Sequence, residues 1–200
     1  MSRLIESIKT ENANLCNLAY HTRRMNASSL QLWGQNEHCV DFNKIKEELE
    51  RMDPDQLYKL RIIYDSDSFS HEFQKYSSRP IHSLRIVELD DLDYSHKFAD
   101  RTIIEKAFTD KEDCDDILIT QHGAITDSSY CNLAFKKGDV WYTPDQPLLY
   151  GTKRQYLLDQ GIIEEAEIYI EDIPDFENLC LFNAMIEFGE LELGIEAVQF

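Results

Sequence analysis

The stretch that decides the fold runs from Gly123 to Phe135 and reads GAITDSSYCNLAF. Taken alone, it predicts a hairpin with an acidic turn, because a glycine opens it and apolar residues close it. It also places one carboxylate, that of Asp127, at the start of a strand predicted to be buried. An anion there can hold a protonated ring nitrogen, so a structural role and a ligand-binding role both remain open.

The segments around this stretch predict an α+β protein with two domains. The predicted strands span residues 2–9, 57–64, 81–89, 117–120, 129–135, 140–143, 168–170 and 179–184. The predicted helices span residues 20–33, 41–52, 101–108 and 152–160. The polar, serine-rich stretch 65–80 shows no strand or helix pattern, and its end, residues 77–80, is the best candidate for a linker. We therefore expect a small α/β domain at residues 1–78 and a larger, strand-rich domain at residues 81–200.

Composition limits the classes of function. Hydrophobic residues make up 42% of the 200 residues, which is typical of a folded protein, and no apolar run is long enough to predict a membrane span. The net charge of −18 argues against nucleic acid as a partner, because phosphate contacts need clustered Lys and Arg. Five widely spaced cysteines without a CxxC pair support neither disulfides nor a metal site. The first residues lack the apolar core of a signal peptide, so we expect a cytoplasmic protein.

Lys97 lies between a predicted strand and a predicted helix, in the segment YSHKFADR. A lysine in such a place is commonly a solvated surface residue. Burial would instead lower the pKa of its amine and make it nucleophilic, which suits Schiff-base chemistry. The residue alone leaves both interpretations open.

Two segments are candidates for holding a phosphate. Arg24 follows His21 by three residues on a predicted helix, and its guanidinium could fork onto a phosphate or simply face solvent. In LYGTKR, Gly151 precedes a helix whose first residues are Thr152 and Lys153. Backbone N–H groups at a helix start point outward along a favourable dipole, which provides a phosphate seat in principle.

Taken together and in order, these segments resemble the class IV aminotransferase family, the fold-type IV pyridoxal-phosphate enzymes. LIESIKT and the H-x-x-R of YHTRRM resemble the opening strand and helix of that family. AITDSSYCNLAF with VWYTP resembles its V-T-E-…-N-L-F and Y-T-P runs, LYGTKR its L-P-G-I-T-R turn, and LFNAMIE the C-N-A-L run of its lyases. The matches extend from Leu4 to about Glu187. The resemblance implies the D-amino-acid aminotransferase-like fold, pyridoxal 5'-phosphate as cofactor and a homodimer.

The resemblance also implies roles for particular residues. Lys97 matches the lysine that carries the cofactor as a Schiff base and later moves the α-proton. Arg24 matches the arginine that grips the cofactor phosphate, and Thr152 and Lys153 match the backbone amides that bind the same phosphate.

Three further residues match less closely. Asn183 and Ala184 match the late turn beside the phosphate. Asp127 stands where the family usually has glutamate, in contact with the pyridine nitrogen, and its side chain is one methylene shorter. The strand and loop that precede the opening segment in relatives are not found ahead of Leu4.

The resemblance leaves the reaction on a small amino-acid-like substrate open. K-F-A-D-R from Lys97 resembles the K-x-x-N-R of the aminodeoxychorismate lyases, and N-A-M from Asn183 resembles their N-A-L. These runs favour cleavage of 4-amino-4-deoxychorismate to p-aminobenzoate and pyruvate, a step of folate biosynthesis. A branched-chain or D-amino-acid aminotransferase is the alternative. An inactive relative that acts as a binding subunit is a second alternative, which the missing opening segment and Asp127 motivate.

Overall fold

A computed structural model describes residues 2–200 as two compact units. The first unit contains the residues up to Ser78 together with His96–Asp100, and the second contains Arg79–Ser95 and Arg101–Phe200. The change after Ser78 falls inside the stretch predicted to be a linker. The segment that carries Lys97 belongs to the first unit, although the sequence places it in the second domain.

The first unit is an antiparallel sheet with two helices. Its strands are β1 (Leu4–Glu11), β2 (Asn14–Leu15), β3 (Tyr58–Tyr64) and β4 (Phe69–Lys75), in the order β2-β1-β3-β4. Its helices are α1 (Leu18–Trp33) and α2 (Phe42–Leu49). Asp41 caps α2 and accepts hydrogen bonds from the backbone N–H groups of Asn43 and Lys44.

Alternation along the strands builds the core of this unit. Because neighbouring side chains on a strand face opposite sides, β1 directs Leu4, Glu6 and Ile8 inward. The buried apolar residues of this core are Leu4, Ile8, Met25, Val40, Ile45, Leu60, Ile62 and Tyr64. Each fully buried Leu or Ile contributes roughly 1.5–3 kcal/mol. Glu6 is the charged residue within this inward row of β1, and it marks a site.

The expectation that residues 65–80 contain no strand is wrong for the middle of that stretch. Strand β4 pairs with β3 in full antiparallel register from Tyr58↔Lys75 to Tyr64↔Phe69. It is an edge strand whose Ser70 and Glu72 are exposed while Phe69 and Phe73 pack on the core. The polar composition reflects one solvated face and not a missing strand.

The second unit contains two sheets and two helices. Its strands are β5 (Leu84–Glu88), β6 (Asp116–Gln121), β7 (Ala124–Ser128), β8 (Asn132–Lys137), β9 (Val140–Pro144), β10 (Glu164–Ala166), β11 (Asn178–Phe182), β12 (Glu192–Gly194) and β13 (Val198–Gln199). Its helices are α3 (Thr102–Phe108) and α4 (Thr152–Asp159). The sheet orders are β10-β9-β8-β11-β12 and β13-β5-β6-β7. The α+β class expected from the sequence is confirmed.

Two predicted elements of this unit differ from the structure. The strand expected over 129–135 begins at Asn132 as β8, and a separate strand, β7, precedes it. Asp127 therefore lies inside β7 and not at the start of a strand. The strand expected over 168–170 is a single bridge between Tyr169 and Ala124, followed by a 3-10 helix over Ile170–Asp175. No helix within residues 2–200 is long and apolar enough to cross a membrane.

Candidate functional site

A buried carboxylate organises the candidate residues of the first unit. Glu6 on β1 is 1% exposed, and its two oxygens accept hydrogen bonds from Arg24 on α1. Nε of Arg24 lies 2.9 Å from Oε1, and Nη2 lies 2.6 Å from Oε2. This two-point contact holds the guanidinium in one plane. The contact with Glu6 uses Nε and Nη2, so Nη1 is the nitrogen of Arg24 that can donate to a further anion.

His21 completes this cluster. Its Nδ1 lies 2.7 Å from Oε2 of Glu6, and its side chain is fully buried. Burial by itself raises the pKa of Glu6, but the charge of Arg24 and the hydrogen bond from His21 outweigh it and lower that pKa to about 2. Burial lowers the pKa of His21, so the ring is neutral at pH 7. Since ionised Glu6 can only accept, Nδ1 carries the ring proton.

The segment that carries Lys97 lies beside β1. The backbone carbonyl of Lys97 accepts a hydrogen bond of 2.9 Å from the N–H of Ile5, and the N–H of Ala99 donates to Arg3. Phe98 forms a bridge with Leu4 and packs on the core. Lys97 is half-buried, and its positive charge contributes to the lowered pKa of His21. Lys97 and Arg24 therefore both contact β1, Lys97 through its backbone carbonyl at Ile5 and Arg24 through its guanidinium at Glu6.

The candidate residues of the second unit centre on Asp127. Its side chain is buried, with Oδ1 2.7 Å from Nδ2 of Asn132 and Oδ2 2.9 Å from the backbone nitrogen of Leu149. Nδ2 of Asn132 also donates to the carbonyl of Leu149, at 2.9 Å. The acid is thereby fixed to the chain that leads into α4.

The start of α4 is built to leave backbone amides without a side-chain cap. Gly151 is the N-cap residue, and no side chain caps the first turn. A Cβ atom at Gly151 would lie 1.9 Å from Oδ1 of Asn132, so only glycine allows this close approach. First-turn N–H groups have no acceptor within their own helix, and those of Thr152 and Lys153 suit an anion. The residues present fit the phosphate end of the expected cofactor.

Two side chains from the sequence prediction are engaged elsewhere. Nζ of Lys153 contacts Glu187, so this residue offers its backbone amide and not its amine. Asn183 donates to the carbonyl of Tyr130, and its Oδ1 accepts from the N–H groups of Met185 and Ile186. The Asn183 side chain therefore holds its own turn, and a phosphate contact there would come from the backbone, for which Ala184 is the neighbouring position.

Sequence reasoning missed Glu6 and Asn132. Both lie within segments quoted for the resemblance, but neither received a role. The signal for Glu6 is a single acid between Leu4 and Ile8 in the inward row of β1. The signal for Asn132 is weaker, because its partners Asp127 and Leu149 are separated from it by 5 and 17 residues. Within residues 2–200, no group of three or more His, Cys, Asp or Glu side chains is arranged to hold a metal.

Comparison with known proteins identifies the family. The sequence profile of the amino-transferase class IV family matches residues 3–190. Because this match covers almost all of the chain, the chain belongs to the class IV aminotransferase family. That family depends on pyridoxal phosphate.

Individual relatives agree with this assignment. A Haemophilus influenzae protein of unassigned function is 34% identical over 187 residues, which are 92% of this chain and 98% of that protein. A Haemophilus somnus crystal structure, of a protein provisionally assigned as a 4-amino-4-deoxychorismate lyase, is 34% identical with a TM-score of 0.86, covering 92% of this chain and 97% of the other. A Mesorhizobium loti structure, provisionally assigned as an amino-acid aminotransferase, is 20% identical with a TM-score of 0.83 over the whole of both chains.

Proposed function

We propose that this protein is a pyridoxal-phosphate enzyme that cleaves 4-amino-4-deoxychorismate to p-aminobenzoate and pyruvate. One observation supports a cofactor site above all others. In the second unit, the Asp127 carboxylate and the uncapped start of α4 are joined through Asn132 and Leu149. An anion suited to a ring nitrogen is therefore fixed to the chain that leads into amides suited to a phosphate.

Each residue has a defined task in this proposal. Nζ of Lys97 would hold the cofactor covalently and would also move the α-proton of the substrate. Arg24, held by Glu6, donates from its guanidinium to the phosphate. The backbone amides of Thr152 and Lys153 donate to the same phosphate.

Asp127 has the task of keeping the ring nitrogen protonated, because a fixed carboxylate favours the neighbouring cation. The hydrogen bonds from Asn132 and Leu149 hold this shorter acid in one orientation. When bound, pyridoxal phosphate supplies an electron sink for the negative charge that develops at the substrate α-carbon. The same electron sink would serve a lyase or a transaminase, so the residues that hold the cofactor do not by themselves choose between these reactions.

The choice of a lyase rests on two runs of sequence and on one relative. The runs are those that begin at Lys97 and at Asn183, which resemble the lyase patterns. The relative is the Haemophilus somnus protein, which matches over almost the full length of both chains. We further propose that the protein acts in the cytoplasm and that it forms a homodimer. Light scattering on the purified protein would test the homodimer.

A product assay tests the proposed reaction. Purified protein loaded with pyridoxal phosphate is given enzymatically generated 4-amino-4-deoxychorismate. The proposal predicts release of p-aminobenzoate and pyruvate in equal amounts, and a loss of more than about a thousandfold in Lys97→Ala. Formation of a keto acid from branched-chain or D-amino acids, with no pyruvate from the chorismate compound, would establish the transaminase instead. Absence of both activities would overturn the catalytic proposal.

A further inference from the structure

A second candidate site lies in the second unit, and its lining residues are not those of the turn that opens α4. It is a cavity of about 250 Å³ between α3, the beginning of the unit and the turn that joins β7 to β8. Its walls include Arg79, Arg101, Ile104, Phe108, Ser129 and Tyr130. Two of these side chains carry positive charge and two carry aromatic rings. None of them was assigned a role in the cofactor site.

Arg101 is the unusual residue of this cavity. Its Nη2 donates to the backbone carbonyl of Ser129, a neutral group. Its Nε is buried, and no group within residues 2–200 accepts a hydrogen bond from it. No carboxylate of the described chain pairs with its guanidinium, although Glu105 follows one helical turn later. Because a partly buried cation without a counter-ion is costly, the site favours an anion.

Arg79 is arranged differently. Its Nη2 lies 3.2 Å from Oδ2 of Asp116, a fully buried acid, so much of its charge is already offset. Its guanidinium lies 5.1 Å from the ring centre of Phe108 and 5.4 Å from that of Tyr130. These are cation–π distances, and they fix both rings at the cavity wall. Arg79 therefore supports the aromatic walls, and Arg101 is left as the anion-binding group.

Other ionisable groups near the cavity do not supply the missing negative charge. Burial raises the pKa of Asp116, while a hydrogen bond from Ser129 and the charge of Arg79 act in the opposite direction. Glu105 is exposed, so solvent screens its charge. Burial raises the pKa of Tyr130 to about 12, so this phenol remains neutral. The arrangement provides one unpaired cation and flat apolar walls.

We propose that this cavity binds the carboxylate of a planar, ring-bearing organic acid. The carboxylate contacts the guanidinium of Arg101, and the ring lies against Phe108 and Tyr130. Ser129 and Tyr130 follow Asp127 by two and three residues, so the cavity adjoins the strand that carries the cofactor acid. The link to p-aminobenzoate and its cyclic precursor rests on the proposed function, whereas the binding of a ring acid does not.

Direct titration with small ring acids tests this proposal. Benzoate and p-aminobenzoate are titrated into the full-length protein loaded with pyridoxal phosphate, with heat or ligand-observed NMR as the signal. Benzamide is the neutral probe of the same shape. The proposal predicts that benzoate binds at least tenfold more tightly than benzamide, and that Arg101→Gln removes this difference. Arg85→Gln is the matched control, because Arg85 lies on β5 with Glu112 as a partner, and binding should not change.

A second variant keeps the test decisive if Arg101→Gln fails to fold. Arg101→Lys retains the charge but loses the planar fork, so benzoate should bind several-fold more weakly while benzamide is unaffected. Equal binding of benzoate by wild type and both Arg101 variants would overturn the proposal. So would inorganic phosphate that competes as well as p-aminobenzoate, because the ring would then play no part. Benzoate binding without pyruvate release would refute the proposed reaction and leave the cavity assignment intact.

Discussion

Nδ2 of Asn132 lies 2.7 Å from Oδ1 of Asp127, and the same nitrogen lies 2.9 Å from the carbonyl oxygen of Leu149. One neutral amide therefore satisfies a buried carboxylate and a backbone carbonyl at once. Since Leu149 in turn donates to Oδ2 of Asp127, the three residues close a small network. A charge change at Asn132 is expected to break it.

Asn132→Asp puts a second carboxylate at hydrogen-bonding distance from Asp127. Because two buried like charges cannot both ionise cheaply, we expect a loss of about 3 kcal/mol in the free energy of unfolding at pH 7. The loss should shrink toward pH 5 as the pair takes up a proton. Urea denaturation at both pH values measures it. Asn178→Asp is the control, because Nδ2 of Asn178 lies 2.6 Å from Oε1 of Glu192 at an exposed site. This substitution should lower the free energy of unfolding by less than about 1 kcal/mol.

Gly151→Ala introduces a Cβ atom where Oδ1 of Asn132 lies 1.9 Å away. We expect a loss of about 1–3 kcal/mol in stability, because something must shift to admit the methyl group. Asn132→Ala removes the obstacle, so a double-mutant cycle should show coupling of at least about 1 kcal/mol. Strict additivity of the two substitutions would show that the close approach is not the cause.

Glu6→Gln removes the charge that holds Arg24 and His21. Because the pKa of Glu6 in the folded protein is about 2, against an ordinary value of 4.5, its ionisation stabilises the protein by about 3 kcal/mol above pH 4.5. That stabilisation is lost as the pH falls from 4.5 toward 2. The stability difference between wild type and Glu6→Gln should therefore be largest near pH 7 and narrow in acid, as urea denaturation at several pH values would show.

The control for Glu6 is Glu72→Gln in the same unit. Glu72 is exposed on β4 and lies 3.3 Å from Nη1 of Arg61, so its loss should change stability by less than about 1 kcal/mol at any pH. A difference for Glu6→Gln that stays constant with pH would contradict the assigned ionisation.

Arg24→Lys keeps a positive charge but loses the two-point contact with Glu6. We expect the dissociation constant for pyridoxal phosphate to rise about tenfold or more, since an ammonium cannot hold Glu6 and a phosphate in the same fixed geometry. Arg23→Lys is the matched control, because Arg23 directly precedes Arg24 on α1. Its side chain is exposed and stacks on the ring of Tyr20. Absorbance titration with pyridoxal phosphate measures the dissociation constants of both variants. Equal affinities for the two variants would remove Arg24 from the phosphate site.

Local signals made part of this structure predictable. The cap at Asp41 and the positive φ of Gly161 after α4 follow from side-chain chemistry within one turn of helix. The order of the family segments selected Arg24, Lys97, Asp127 and the α4 turn as candidates without reference to contacts, and their roles stay predictions. Strand β4 was missed because an edge strand needs only one apolar face, and its polar residues concealed the alternation.

Long-range contacts account for what the sequence did not reveal. Glu6 acquires its role from His21 and Arg24, which reach it only when α1 packs on β1. Arg101 looks like any arginine at a helix start, and its position in the cavity depends on a hydrogen bond to the carbonyl of Ser129, 28 residues away. The division between the units could not be predicted from local sequence either, because residues 96–100 join the first unit through backbone hydrogen bonds with residues of the β1 segment.

The central claim is that Lys97 carries the cofactor, and trapping the attachment tests it most directly. Wild-type protein is incubated with pyridoxal phosphate, reduced with borohydride, digested and mapped by mass spectrometry. We predict a phosphopyridoxyl group on Lys97, a visible absorbance band before reduction, and loss of both in Lys97→Ala. A label that falls on other lysines, or a wild-type protein that shows no band and takes up no label, would contradict the account.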